Sequence, residues 1–194
     1  MSAQTSSNAE TSRGLTQVLI AGEAGQGSIL CGVMLAETAT KEGREVAQSA
    51  RYGAAVRSGQ AEAHVLISDS SIDFPHVDEP DYLIATAQST YDKYAPKQAE
   101  STLVIYDPFF VKPRDLPGIK QYAIPATESA IQQLGKAQGA NVILLSALAK
   151  LTGVISRQGL ENQINAMPAK FRASNMQALE IGIELVAKAE EEKG

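Results

Sequence analysis

The sequence predicts an α/β sandwich in three layers, a mostly parallel sheet between helices, on three observations. Short apolar runs alternate with stretches of helical periodicity along the chain. The first run, Leu15 to Ala21, stops at Gly22 and passes through a glycine loop straight into a helical pattern. From Thr127 the chain is helical in pattern to its end. Together these describe a Rossmann-like arrangement.

Residues 1–14, opening MSAQTSSNAETSR, are poor in apolar residues and without periodicity, so they read as a disordered tail ahead of a single domain over 15–194. Leu15 to Ala21 reads as a buried central strand. From Gln26 to Glu42, Ile29, Leu30, Val33, Met34 and Ala36 recur at helical spacing, and Gly43 stops the helix. Arg44 to Gln48 is a second strand. Arg51 to Gly59, RYGAAVRSG, breaks the pattern and reads as a loop. Gln60 to Ser68 alternates, with Ala61, Ala63, Val65 and Ile67 on one face and Glu62, His64, Leu66 and Ser68 on the other. It is expected to be half-exposed, and if antiparallel it makes the sheet mixed. Turn residues fill Asp69 to Pro80. Asp81 to Thr86 and Thr102 to Asp107 are further strands, separated by a short helix from Ser89 that ends near Pro96. Lys120 to Ile124 is the last strand. Asn141 to Thr152 is apolar on most sides and should be buried, whereas Ala169 to Glu192 is amphipathic and should cover it.

Composition excludes several classes. At 194 residues the chain fits one core, and with 44% hydrophobic and 20% charged residues it is ordinary globular material. A net charge of -5 supplies no basic stripe for nucleic acid. One cysteine, Cys31, cannot form an intrachain disulfide or hold an iron-sulfur cluster, and two histidines do not make a histidine-rich metal site, so no metal site is expected. Cys31 lies in an apolar run and reads as a buried thiol. No apolar stretch is long enough to cross a bilayer and the N-terminus is not signal-like, which together suggest a cytoplasmic protein.

The candidate site rests on two segments. In the loop Gly22-Glu23-Ala24-Gly25-Gln26-Gly27, glycines allow a tight strand-to-helix turn and the helix can present N–H groups to an anion, making Gly22, Gly25, Gln26 and Gly27 candidate ligand contacts. The loop lacks the second glycine of a dinucleotide fingerprint, where Ala24 stands, and no acidic residue follows the second strand, so an independent NAD or flavin oxidoreductase is the alternative rather than the first reading. A Walker loop is absent as well. In the second segment Arg51 and Arg57 can fork onto phosphate or carboxylate, and Tyr52, Gly53 and Gly59 accompany them, although the same residues also suit an ordinary loop or subunit contact. His64 reads as an exposed or hydrogen-bonded histidine, and Asp69, Asp73 and Asp78 as turn residues. No catalytic constellation is visible.

Taken in order, these segments resemble the gamma subunit, or the equivalent fused domain, of the 2-oxoacid:ferredoxin oxidoreductases. The family's G-x-G-G-Q-G loop is present as GEAGQG at Gly22 to Gly27, and its Y-G-x-x-x-R-G-G loop as YGAAVRSG at Tyr52 to Gly59. VLISD at Val65 to Asp69 and IDFP at Ile72 to Pro75 follow, then GANVILLSALAKLTG around Asn141, then Asn175 and EIG at Glu180 to Gly182. Ala24 and Ser58 replace family glycines. The resemblance extends from Leu15 to about Ala187 and is strongest to freestanding gamma chains of 2-oxoglutarate enzymes.

The resemblance implies a small non-catalytic subunit, inactive alone, in an enzyme that decarboxylates a 2-oxoacid, transfers the acyl group to CoA and reduces ferredoxin. It implies thiamine diphosphate with Mg and iron-sulfur clusters on partner chains. Here it implies a role in assembly and in shaping the CoA site, with a purely scaffolding subunit as a further reading.

Overall fold

The computed structural model describes residues 14–53, 59–73 and 76–191. The N-terminal tail, Arg57 and Ser58 fall outside them. The chain opens with β1 (Leu15–Glu23), whose Val18 to Ala21 are buried on both faces as befits a central strand. The turn that follows delays α1 to Ser28–Lys41 rather than Gln26, because Gly25 and Gly27 adopt left-handed φ of 94° and 81° that no helical residue shares. Past α1 come β2 (Glu45–Tyr52), β3 (Gln60–Ser68) and β4 (Tyr82–Ala85). Next are α2 (Gln88–Tyr94), β5 (Leu103–Tyr106) and β6 (Lys120–Ala123). The C-terminal part is α3 (Ala126–Leu134), α4 (Ala140–Thr152), α5 (Arg157–Asn165) and α6 (Ala169–Glu191).

The six strands lie in the order β2-β3-β1-β4-β5-β6. β1, β4, β5 and β6 pair in parallel, while β3 is antiparallel to both β1 and β2. β3 alone is reversed, so the sheet is the mixed one that its alternating pattern suggests. On one face Val18, Ile20, Ala63, Val65, Ile84 and Ile105 pack under α1, α3, α4, α5 and α6. On the other, Leu19, Ala21, Leu66, Leu83 and Val104 meet Tyr91 and Ala95 of α2 and its one-turn extension, with Val77 and Val111 from loops. The three layers are therefore unequal.

Two expectations are corrected. β3 is buried on both faces rather than half-exposed, since Glu62 and His64 are covered, at 5% and 4% exposure. A polar side chain in an alternating pattern marks water only when nothing polar stands opposite it, and α2 puts Lys93 and Tyr94 there. His64 is consequently neither exposed nor hydrogen-bonded: both ring nitrogens are buried without a partner. Second, Arg51 and Tyr52 belong to β2, not to a loop, because the β2–β3 ladder runs unbroken from Glu45↔Ser68 to Tyr52↔Ala61.

Candidate functional site: a glycine-loop cleft at the end of the sheet

From β1 the chain crosses through α1 to the β2–β3 side, whereas β4 and β5 lie on the other side. The carboxyl ends of β1 and β4 therefore meet where strand order reverses, the place where open α/β sheets bind ligands. The glycine loop occupies that point. Gln26 turns its side chain inward, and Oε1 accepts from the Glu23 N–H at 2.7 Å and from the Thr86 hydroxyl at 3.1 Å. A Cβ on Gly22 would stand 2.0 Å from Thr86 Oγ1, 2.6 Å from Ser28 Oγ and 2.8 Å from Gln26 Oε1, so only glycine lets these three oxygens converge. The Ser28 hydroxyl is buried and has no hydrogen-bond partner. α1 begins without a side-chain cap, leaving its first amides able to receive an acceptor.

Beside the loop opens a cleft of about 210 Å³ lined by Gly25, Gln26, Thr86, Asp107, Thr127 and Asn141, with Phe110 and Leu144 as apolar walls. Asp107 is 1% exposed and its carboxylate accepts from the Phe109 N–H at 3.0 Å and the Thr127 N–H at 2.9 Å. It fixes the β5 loop to the start of α3. Among the described residues no cation lines the cleft; its polar groups are neutral apart from Asp107. A larger cavity of about 460 Å³ lies between α4, α5 and α6, away from the glycine loop.

The sequence-predicted residues divide. Gly22, Gly25, Gln26 and Gly27 form the loop itself. Gly59 joins them, because the Ala24 N–H donates to the Gly59 carbonyl at 2.8 Å, and the Gly53 N–H donates to the Gln60 carbonyl at 2.7 Å to close the β2–β3 ribbon. Arg51 lies on the other face of the sheet: in register opposite Glu62, its guanidinium donates to His76 Nδ1 at 3.0 Å. Tyr52 faces the α1 side and is 70% exposed. Arg57 is outside the described residues. Sequence reasoning missed Thr86, Asp107, Thr127 and Asn141. The first two were legible as the polar residues that end DYLIAT and TLVIYD, at the strand ends where a ligand site belongs.

A second polar cluster sits under the thinner face. Glu62 accepts from Lys93 Nζ at 2.8 Å and from the Tyr94 hydroxyl at 2.6 Å. Burial pushes its carboxyl up, but those two bonds prevail and hold it below the usual carboxylate range. His64 Nε2 is 3.6 Å from Glu62 Oε2, too long for a hydrogen bond, and its ring stacks on His76 at 5.8 Å between centroids. Burial first, and then the Arg51 charge, lower its pKa below the ordinary histidine value. Burial also raises the Cys31 thiol to about 12, leaving it unreactive.

The pyruvate ferredoxin/flavodoxin oxidoreductase model matches residues 17–185. The chain belongs to this family. Among the family's members it is 34% identical over 173 residues to the 2-oxoglutarate synthase subunit KorC of Methanocaldococcus jannaschii, covering 87% of this chain and 92% of that one. The gamma subunit of a keto/oxoacid ferredoxin oxidoreductase from Geobacter sulfurreducens superposes with a TM-score of 0.80 at 31% identity, over 91% of this chain and 98% of that one. A 2-oxoglutarate:ferredoxin oxidoreductase from Magnetococcus marinus with 2-oxoglutarate, coenzyme A and succinyl-CoA bound shares the fold with a TM-score of 0.82 at 24% identity, and there the match covers 91% of this chain and 32% of that longer one. These pyruvate ferredoxin/flavodoxin oxidoreductase relatives do not favour a freestanding NAD or flavin enzyme. Among the described residues no group of three metal-ligating side chains assembles, and no helix is long and apolar enough to cross a membrane.

Proposed function

We propose that this chain is the gamma-type subunit of a cytoplasmic 2-oxoacid:ferredoxin oxidoreductase, with 2-oxoglutarate as the substrate to test first, and that its glycine-loop cleft forms one wall of the CoA site. The observation that carries the reading is the family match from residue 17 to 185, joined to a gamma-subunit relative almost all of whose length this chain covers. Oxidative decarboxylation to the acyl-CoA, with electrons passed to ferredoxin, is the reaction of the assembly. Thiamine diphosphate, Mg and the iron-sulfur clusters belong to partner chains, which accords with the lone buried Cys31 here.

The cleft's donor set fits part of CoA. The uncapped start of α1 beside the cleft suits one phosphate group, and Asn141 and Gln138 offer amides to polar edges. At about 210 Å³ the cleft is smaller than the roughly 300–1,000 Å³ usual for a whole ligand, so most of CoA rests on other chains. Neutralising the remaining phosphates falls to cations outside the cleft, for which Arg57 is this chain's candidate. CoA bound there supplies the thiol that accepts the acyl group; this chain's part is to bind and orient it.

The test is the complex purified anaerobically through a tag on this chain and assayed for CoA-dependent reduction of viologen by 2-oxoglutarate. Co-purifying chains with thiamine, iron and activity support the subunit reading, and a chain that emerges alone rejects it. Within the active complex, Asn141→Leu and Arg57→Ala are each expected to raise the KM for CoA about tenfold, a loss of roughly 1.4 kcal/mol, with thiamine and iron content unchanged. An unaltered KM for CoA in both rejects the cleft's role while leaving the subunit reading intact.

A further inference from the structure

The sheet ends in two very different edges. β6 is four residues long, starts with Lys120 and lies between Pro117 and Pro125. Those are the features by which proteins keep a free edge from pairing: short length, a lysine and nearby prolines. β2 has none of them. It runs for eight residues without proline, lysine or bulge, is paired on one side only, and leaves Glu45, Gln48, Ala50, Arg51 and Tyr52 exposed. Among the described residues no strand pairs with its outer row of amides and carbonyls. Beside it on the α1 face is a groove of about 430 Å³ lined by Ala36, Glu37, Thr40, Lys41, Val46 and Gln48.

β2 is also complementary to itself. Two copies related by a two-fold axis normal to the sheet pair antiparallel, and facing side chains must then share a face, so the paired residue numbers are both odd or both even. With the axis at Gln48, Glu45 meets Arg51 of the second copy on both sides of the axis, Val46 meets Ala50, Ala47 meets Ser49, and the two Gln48 amides meet each other. Moving the axis to Ser49 gives a pairing of equal length but sets Arg51 against Ala47 and leaves Glu45 facing Gly53. Charge therefore selects the Gln48 register, since opposite charges directly across a strand pair are favourable, by up to about 1 kcal/mol each. Arg51 keeps donors to spare beyond its bond to His76.

We propose that β2 is a homotypic docking strand through which two copies of this chain join their sheets edge to edge, in the register centred on Gln48. The occupant of the open edge is a second copy of the same strand.

Cysteine placement reads the register directly, because native Cys31 is buried and does not compete. In the Gln48 register, Cα atoms at position 48 face one another about 5.5 Å apart, within the roughly 4.4–6.8 Å that a disulfide spans, whereas those at position 49 are about 7–8 Å apart on the diagonal. The full chain is expected to sediment as a dimer, Gln48→Cys to form a reducible covalent dimer under mild oxidation, and Ser49→Cys not to. Mixing Ala47→Cys with Ser49→Cys should link the two chains to each other. Glu45→Arg should weaken dimerisation at least tenfold, while its melting temperature in dilute monomer stays that of the wild type. A chain that is monomeric at about 100 µM overturns the proposal, as does a dimer whose Gln48→Cys form does not cross-link or cross-links no better than Ser49→Cys. The same pair of variants is then oxidised in the assembled complex. Cross-linking of Gln48→Cys there carries the proposal into the working enzyme, and its loss means that another chain occupies the edge and overturns it for the complex.

Discussion

The two faces of this sheet are stabilised by different physics, and β3 carries both within one strand. Ala63, Val65 and Ile67 point into the large core beneath α1, where the constraint is shape. Glu62 and His64 point to the thinner face under α2, where the constraint is hydrogen bonding. Burying apolar atoms requires only that they fit; burying polar atoms requires partners, and here Glu62 has two and His64 has none.

The contrast can be broken most severely on the apolar face. α4 and α6 cross so closely that a Cβ on Gly182 would stand 2.0 Å from Ser146 Oγ and 2.3 Å from the Ile143 carbonyl oxygen. Because backbone cannot step aside as a side-chain tip can, Gly182→Val is expected to cost about 3 kcal/mol or more. In a chain of this size that lowers the melting temperature by roughly 6–12 °C, readable by calorimetry. On the polar face Glu62→Leu leaves the Tyr94 hydroxyl without its acceptor, while Lys93, 42% exposed, returns to water. The expected loss is about 1–3 kcal/mol in a urea titration, and Glu62→Gln, which retains an acceptor oxygen, should lose less.

Acid should weaken the polar face selectively. The folded pKa of His64 is depressed, so between that value and about 6.5 the unfolded chain binds more protons, and stability falls as pH drops through this window. Glu62, also depressed, holds its contribution down to about pH 4.5 and loses it as pH falls through its folded value. The charged groups facing His64 are Arg51 and Glu62, with His76 stacked above. Urea midpoints followed from pH 7.5 to 5 should decline in the wild type and decline less in His64→Leu. At pH 7.5 that substitution should have the smallest effect, within about 1 kcal/mol and in the stabilising direction if any, since it removes two buried polar atoms that bond to nothing. A large loss would mean that the imidazole holds His76 and its loop in place.

Elements whose register with the sheet is local were legible in the sequence. Val18 to Ala21 form an uninterrupted apolar run, and Asn141 to Thr152 lack a polar side, so strand and buried helix followed directly. β3 misled because alternation reports chemistry, not exposure: the residues opposite Glu62 come from α2, 31 residues later, and no local window contains them. The same distance hid half of the cleft. The glycine loop announces itself by composition, but Thr127 and Asn141 reach it only through the strand order, which parallel crossovers decide. Arg51 reads from the sequence as the start of a loop beside Tyr52, yet alternation along β2 puts it on the opposite face from Tyr52 and beside His76.

Gln26 bears on how fast the glycine loop can take a ligand. Its carbonyl already gathers the Glu23 amide and the Thr86 hydroxyl, and the Ala24 amide is already fastened to Gly59. The loop's entropy is thus surrendered during folding rather than at the moment of encounter, where ordering each rotamer-rich side chain would otherwise subtract about 0.5–1.5 kcal/mol from affinity. If a ligand settles against α1 as proposed, it meets a loop already fastened by its own bonds, and a change at Gln26 would move the cost of ordering that loop to the moment of binding.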